Sequence, residues 1–326
     1  MAQMTMVQAL NLALAEAMRE DPNVMIMGED VGVDGGVFRV TDGLLQEFGP
    51  DRVVDTPLAE GAIAGTAIGL CFRGFRPVCE MQFEGFSFPA FHQIEGHARR
   101  YRNRTRGRYT CPMVIRMPYG GGIRAIEHHS DAPEALYAHQ PGLKVVICSG
   151  PRNARALLRA AILDADPVIF FEPKALYRAF REEVPEQPET MPIGKGLVAR
   201  EGKNVTLITY GAMVRPTLEA AEELHDEYNL DAQVLDLLSV SPLDHDLIQE
   251  SVRKTGRAVV VHEAPRHCGL AAEIIARIVE DSLLYLEAPI KRVTGYDTII
   301  PYFANEKTYL PDTGRIVKAA VETVRF

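Results

Sequence analysis

What this chain has little of narrows it first. Its five cysteines, Cys71, Cys79, Cys111, Cys148 and Cys268, lie far apart with no Cys-x-x-Cys pair. That spacing argues against a zinc site or a disulfide framework and suits a reducing compartment. No apolar run is long enough to span a bilayer, and the amino terminus lacks a basic-then-apolar signal segment, so a cytoplasmic protein with no membrane role is expected. Positive charge is in the minority: 35 Lys and Arg against 44 Asp and Glu leave a net charge of −9. Such a balance speaks against general nucleic-acid binding. The exception is local. Arg99-Arg100-Tyr101-Arg102-Asn103-Arg104-Thr105-Arg106-Gly107-Arg108 reads either as a solvated helix end and loop, or as a contact for an acidic partner subunit or an anionic substrate. Phosphate-gripping motifs are missing as well. There is no Gly-x-x-x-x-Gly-Lys-Ser/Thr, no Gly-x-Gly-x-x-Gly after the first strand of either half, and no Gly-Asp-Gly anywhere in the 326 residues.

What is present is a regular alternation. Thr5-Met6-Val7-Gln8 reads as a capping box opening a helix that runs to about Glu20 and ends at Asp21-Pro22. The continuous apolar run Val24–Gly28 suits a strand buried on both faces. Further strands are expected at Arg52–Asp55, Pro77–Met81, Pro112–Met117, Lys144–Cys148 and Pro167–Glu172, with helices at Glu60–Cys71, Pro89–Tyr101 and Pro151–Ala165. A proline-rich lapse between Glu182 and Gly202 reads as a linker. Beyond it a second unit is expected, with strands at Asn204–Tyr210, Ala232–Leu237, Ala258–His262 and Ile290–Val293. Its helices would fall at Pro216–Tyr228, Asp244–Lys254, Leu270–Ser282 and Thr313–Val324. The length exceeds what one core usually organises, and strands alternating with helices imply mainly parallel sheets flanked by helices. The expected fold class is therefore α/β with two domains, residues 1–185 and 203–326, joined by a linker at 186–202.

Three segments carry the chemistry. In Asp55-Thr56-Pro57-Leu58-Ala59-Glu60-Gly61, an acid stands at the junction of a strand and a helix nearly free of large side chains. Gly61, Gly65 and Gly69 recur every four residues on one helix face and permit close backbone approach. Packing within one subunit, with Glu60 favoured by the helix dipole, accounts for the spacing equally well. The second segment, Glu80–Phe91, contains Phe83, Phe86, Phe88 and Phe91, rings suited to core packing or an apolar subunit contact. In the third, Gly120-Gly121-Gly122 follows a strand and precedes Glu127-His128-His129-Ser130. No third ligand sits at a spacing suited to zinc, whereas a histidine on a glycine-hinged loop suits proton transfer near neutral pH.

These segments resemble the beta subunits of pyruvate and branched-chain 2-oxo acid dehydrogenases, members of the transketolase superfamily. The likeness runs the length of the chain, through Ala138-His139-Gln140-Pro141-Gly142, Asp236–Asp244 and Val261-His262-Glu263-Ala264. It implies a pyrimidine-binding domain for thiamine diphosphate followed by a transketolase C-terminal-like domain. Glu60 would hydrogen-bond the pyrimidine N1′, where an acid must exchange a proton, and a carboxyl withdrawn from water suits that task. Leu58 would line the cofactor pocket, and Phe86 would stack on the aminopyrimidine for about 1 kcal/mol beyond burial. His129 would serve substrate binding and acyl transfer to lipoamide. Where the family usually has serine before the glutamate, this chain has Ala59, which leaves the acid in place. The likeness also implies a potassium ion at Met113, Ala161, Asp164 and Asp166; oxygen ligands suit a hard cation, and sequence does not separate potassium from sodium or calcium.

With no Gly-Asp-Gly segment, the magnesium ion and the diphosphate would be held by a separate alpha subunit in an α2β2 heterotetramer. The second domain would join subunits and dock the lipoyl acyltransferase core, without taking part in catalysis. The implied activity is oxidative decarboxylation of a small 2-oxo acid, pyruvate preferred, with reductive acylation of lipoamide. A branched-chain 2-oxo acid or acetoin dehydrogenase beta subunit stays open. So do a transketolase-type or deoxyxylulose-phosphate synthase fragment, disfavoured by the missing phosphate motif, and a non-catalytic α/β scaffold subunit.

Overall fold

The Thr5 hydroxyl accepts a hydrogen bond from the Gln8 amide while Gln8 Oε1 accepts one from the Thr5 N–H, so the expected capping box opens the first helix, Met6–Glu20. Met6, Leu10, Ala13, Leu14 and Met18 form its buried face. That face packs against the Pro151–Leu163 helix, where Arg155 and Arg159 donate to Glu16 and Glu20 on the polar margin.

The computed structural model describes Met1–Phe326, which divides into two units: Met1–Tyr119 with Leu136–Ile193, and Gly120–Ala135 with Gly194–Phe326. Strands of the first unit are β1 (Ala2–Met4), β2 (Val24–Gly28), β3 (Val53–Asp55), β4 (Arg76–Glu80), β5 (Val114–Tyr119), β6 (Lys144–Ile147), β7 (Val168–Pro173) and β8 (Glu182–Val184). Here β6, β7, β5, β4, β2 and β3 lie side by side, each parallel to its neighbour. β2, β5 and β7 are buried along their whole length, as expected of strands covered on both faces. In the second unit the strands are β9 (Leu197–Arg200), β10 (Val205–Thr209), β11 (Ala232–Asp236), β12 (Ser239–Ser241), β13 (Ala258–Pro265) and β14 (Lys291–Gly295). They include a sheet ordered β14-β13-β10-β11-β9, parallel except for β9. The α/β class with two mainly parallel sheets is what the alternation implied.

Three local features depart from the pattern. The helix expected at Pro89–Tyr101 ends at Gly96 and resumes as a 3₁₀ turn, Ala98–Arg100, and a single turn, Tyr101–Arg104. The proline-rich stretch is not free of structure: β8 pairs antiparallel with β1, and β9 forms the antiparallel edge of the second sheet. Short edge strands paired across long sequence separations leave little periodicity to read. Most of the basic run is paired within the chain: Arg99 and Arg100 donate to Glu95, Arg102 to Asp166 and Arg104 to the Gly96 carbonyl.

Candidate active site

The register of β2 and β3 sets Gly28 opposite Asp55, so the segments leaving these strands emerge together at the carboxyl edge of the sheet, where α/β proteins place their ligands. From β2 comes Glu29; from β3 comes Thr56-Pro57-Leu58-Ala59 and then Glu60, first residue of the Glu60–Phe72 helix. The Thr56 N–H donates to the Gly28 carbonyl at 2.9 Å. Asp55 accepts from the Gly32 and Val33 amides, fixing the turn after Glu29. Glu29 and Glu60 are each only 8% exposed. Burial, and then the neighbouring Glu60 charge, push the Glu29 carboxyl above the usual carboxylate range, although the Ala59 N–H works the other way. Glu29 Oε1 and Thr56 Oγ1 are buried with no partner in the chain, an opening for polar groups from outside it. A pyrimidine ring, with nitrogen donors and acceptors on its edge, fits that set. Sequence reasoning missed Glu29 and Thr56. Their signal is position, since each directly follows a parallel strand.

The rest of the helix shows how its glycines are used. A Cβ on Gly61 would sit 3.2 Å from the Pro89 carbonyl, and one on Gly65 would make ordinary contact with Gln93, so this face meets the Phe88–Gly96 helix. Gly69 meets nothing within 4 Å; packing inside this chain accounts for the first two glycines and not for the third. The 3₁₀ turn Glu84–Ser87, which carries Phe86, also packs against the Glu60–Phe72 helix. Phe86 is half-buried and meets Phe83 edge-to-face at 5.7 Å. Leu58, 80% exposed, projects from the turn before Glu60. Beneath the 3₁₀ turn lies a buried ion pair, Lys174 with Glu84 at 3.3 Å, and the Ser87 hydroxyl lies 2.6 Å from that of Tyr137.

His129 belongs to the second unit, within Gly120–Ala135. It ends a 3₁₀ turn, Glu127–His129, and is half-buried where His128 is exposed. The loop closes on itself through the Gly120 N–H, which donates to the Asp131 carbonyl at 2.9 Å. Its far end is anchored by Glu134, fully buried, whose Oε1 accepts from the Tyr210 hydroxyl at 2.7 Å; the Tyr210 ring stacks on His262. Burial pushes the Glu134 carboxyl up from 4.5 to about 8 and Glu263 adds to the rise, while the Tyr210 hydrogen bond opposes it. A raised folded-state pKa gives stability that is complete below the unfolded value and is lost as pH climbs through the folded one. Glu134→Gln removes this titration. Relative to the variant, the wild-type chain is expected to lose on the order of 4 kcal/mol of unfolding free energy between pH 4.5 and about 8. Urea unfolding across that range checks it; parallel pH profiles for the two proteins contradict a protonated Glu134.

The residues named for potassium are held by other partners. Asp164 accepts from Lys144 Nζ at 2.7 and 2.6 Å and from the Asp166 N–H at 2.9 Å, and Asp166 accepts from Arg102 Nε at 2.7 Å. Both carboxylates therefore already face cations of the chain. The Met113 and Ala161 carbonyls each accept one main-chain N–H, from Val168 and Asp164, which leaves each a second lone pair. No group of three or more His, Cys, Asp or Glu side chains is arranged to hold a metal.

Comparison with known proteins defines the class. Residues 2–179 match the transketolase pyrimidine-binding domain and residues 194–316 the transketolase C-terminal domain. A solved structure described as a split-gene transketolase, inactive beta4 tetramer, shares the fold at TM-score 0.80 over 99% of each chain, with 24% identity. Over the full length of both sequences, the chain is 53% identical to the pyruvate dehydrogenase E1 component subunit beta of Staphylococcus aureus. It is 50% identical to that of Bacillus subtilis and 51% to that of Staphylococcus epidermidis, again over the full length of both. The chain belongs to the family of pyruvate dehydrogenase E1 beta subunits.

Proposed function

We propose that this chain works as the beta half of a thiamine-diphosphate-dependent E1 component that decarboxylates pyruvate. It does so in an α2β2 assembly whose alpha subunit holds the diphosphate and its magnesium ion. The observation that carries the reading is the buried Glu29–Glu60 pair with the orphaned Glu29 Oε1 and Thr56 Oγ1 beside it, in a chain that has a pyrimidine-binding domain and no phosphate-binding motif. When bound, the cofactor supplies the carbon nucleophile that releases carbon dioxide from the 2-oxo acid.

Every other task falls to side chains. Glu60 exchanges a proton at the pyrimidine N1′. Glu29, whose carboxyl burial and the Glu60 charge push above the usual range, returns that proton or holds its partner in the competent state. Phe86 offers its face to the ring, and the exposed Leu58 closes over it once the partner is in place. His129, on its anchored loop, moves protons for substrate and acceptor as the acyl group passes to lipoamide on the acyltransferase core. A potassium ion here would take the second lone pairs of the Met113 and Ala161 carbonyls, beside Asp164 and Asp166, which are bonded to Lys144 and Arg102. Five free thiols, four of them buried, suit a reducing cytoplasm.

The test is turnover by the purified chain with and without its alpha partner, across a panel of 2-oxo acids. Activity is expected only from the pair, with pyruvate preferred. Preference for 3-methyl-2-oxobutanoate shifts the assignment to a branched-chain enzyme, and full turnover by the isolated chain overturns it.

A further inference from the structure

The triple glycine before His129 is gripped by two acids of the C-terminal unit. Gly120 has φ +79° and Gly122 φ +98°, a region that disfavours side chains. A Cβ on Gly120 would lie 2.6 Å from Glu263 Oε1, so the backbone runs directly over that carboxylate. The Gly121 N–H donates to Glu263 Oε2 at 2.8 Å. The Gly122 N–H donates to Glu306 Oε1 at 2.9 Å, and the Arg124 N–H reaches Glu306 Oε2 at 3.1 Å. Glu263 and Glu306 are 4% and 3% exposed, so these bonds are shielded from water. Farther along, Glu127 is held below the usual carboxylate range by a hydrogen bond from the Tyr302 hydroxyl. Three acceptor oxygens thus meet the amides of Gly121, Gly122 and Arg124, on a stretch that lies outside any helix or strand.

We infer that Glu306 and Glu263 are positioning residues for the reaction: they set the course of the Gly120–Ala135 loop and thereby the place of His129, so the C-terminal domain takes part in catalysis through the backbone it holds. This rests on the assignment of His129 to acyl transfer. For Glu306 a carboxylate suits the task because each of its oxygens accepts, whereas a glutamine turns an N–H toward one of the two amides it faces; Glu263 gives one oxygen to the Gly121 amide. A loop released from this mount keeps its residues and loses their geometry, and misplacement by about an ångström costs on the order of 100-fold in rate.

The experiment uses the assembled α/β enzyme and two readouts: reductive acetylation of a lipoyl domain, and pyruvate oxidation coupled to the dye 2,6-dichlorophenolindophenol, which bypasses lipoamide. Glu306→Gln is expected to slow acyl transfer by roughly 10–100-fold, with a much smaller loss in the dye assay and an unchanged melting temperature. Glu263→Ala, which removes the acceptor from the Gly121 amide, is expected to repeat the pattern, so a folding defect in one variant leaves the other to decide. Combined with His129→Ala, neither is expected to slow transfer further, because both act through the same side chain. Transfer at the wild-type rate in folded Glu306→Gln and Glu263→Ala enzymes, or losses that multiply with His129→Ala, overturns the positioning role and leaves His129 standing. Wild-type transfer by His129→Ala alone removes the histidine assignment and the positioning role with it.

Discussion

Glu60→Gln in the reconstituted α/β enzyme is expected to lower decarboxylation by roughly 10²–10⁴-fold, the usual worth of a positioned general acid, while subunit assembly is retained. The reason lies in what a glutamine cannot do. It fills the same space at the start of the Glu60–Phe72 helix and can still hydrogen-bond a ring nitrogen, yet it has no proton to exchange. The partly buried setting confines the loss to chemistry, since Glu60 lies at a helix start, where an uncharged side chain costs only a few tenths of a kcal/mol to about 1 kcal/mol. Glu29→Gln should fall between Glu60→Gln and wild type. Glu29 lies beside Glu60 and feels its charge without taking its place. Pre-steady-state carbon dioxide release from the assembled enzyme checks both. Full activity in Glu60→Gln with intact assembly refutes the catalytic reading and returns the chain to the class of scaffold subunits.

The second large effect concerns stability. Arg116, 1% exposed in its side chain, donates through Nε and Nη2 to Glu172 at 2.7 and 2.9 Å and through Nη1 to Glu80 at 2.7 Å. The Tyr177 hydroxyl donates to Glu172 at 2.6 Å. Burial by itself works against the arginine's charge, but Glu172 and Glu80 hold it firmly; burial also pushes Glu80 up. Arg116→Met keeps much of the volume and leaves two acids facing each other in the interior of three parallel strands. The expected loss is 3–5 kcal/mol, the magnitude for breaking a buried pair by removing one partner. Adding Glu80→Gln and Glu172→Gln to the same variant should recover a large part, because the penalty comes from the stranded charges. Urea unfolding of the three proteins checks it. A loss under about 1 kcal/mol for Arg116→Met, as at an exposed pair, refutes the account.

The amino-acid order made much of the framework legible because its signals are local. Thr5 and Gln8 lie three residues apart and cap a helix through atoms within that turn. The Leu270–Ser282 and Thr313–Val324 helices begin and end where the alternation places them, the second capped by the Asp312 side chain, which accepts from the Arg315 N–H. Two parallel sheets follow from buried strands alternating with helices. The edge strands β1, β8 and β9 escaped, being three or four residues long and half exposed, with partners distant in sequence. The readings of Glu60, Phe86, Leu58 and His129 came through resemblance to a family, as neither a lone leucine in a turn nor one of two adjacent histidines declares a role by spacing.

Composition and local pattern determined the α/β class, the two-part division and the lack of a phosphate-binding loop. Tertiary structure decided which groups share an environment. It set Glu29 beside Glu60, supplied Lys144 and Arg102 to Asp164 and Asp166, and brought Glu306 to the Gly122 amide across 184 residues. The physical reason is that caps and periodicities arise from atoms a few bonds apart. A carboxyl's proton affinity and a loop's course, by contrast, depend on charges, burial and hydrogen-bond partners that only the folded chain assembles.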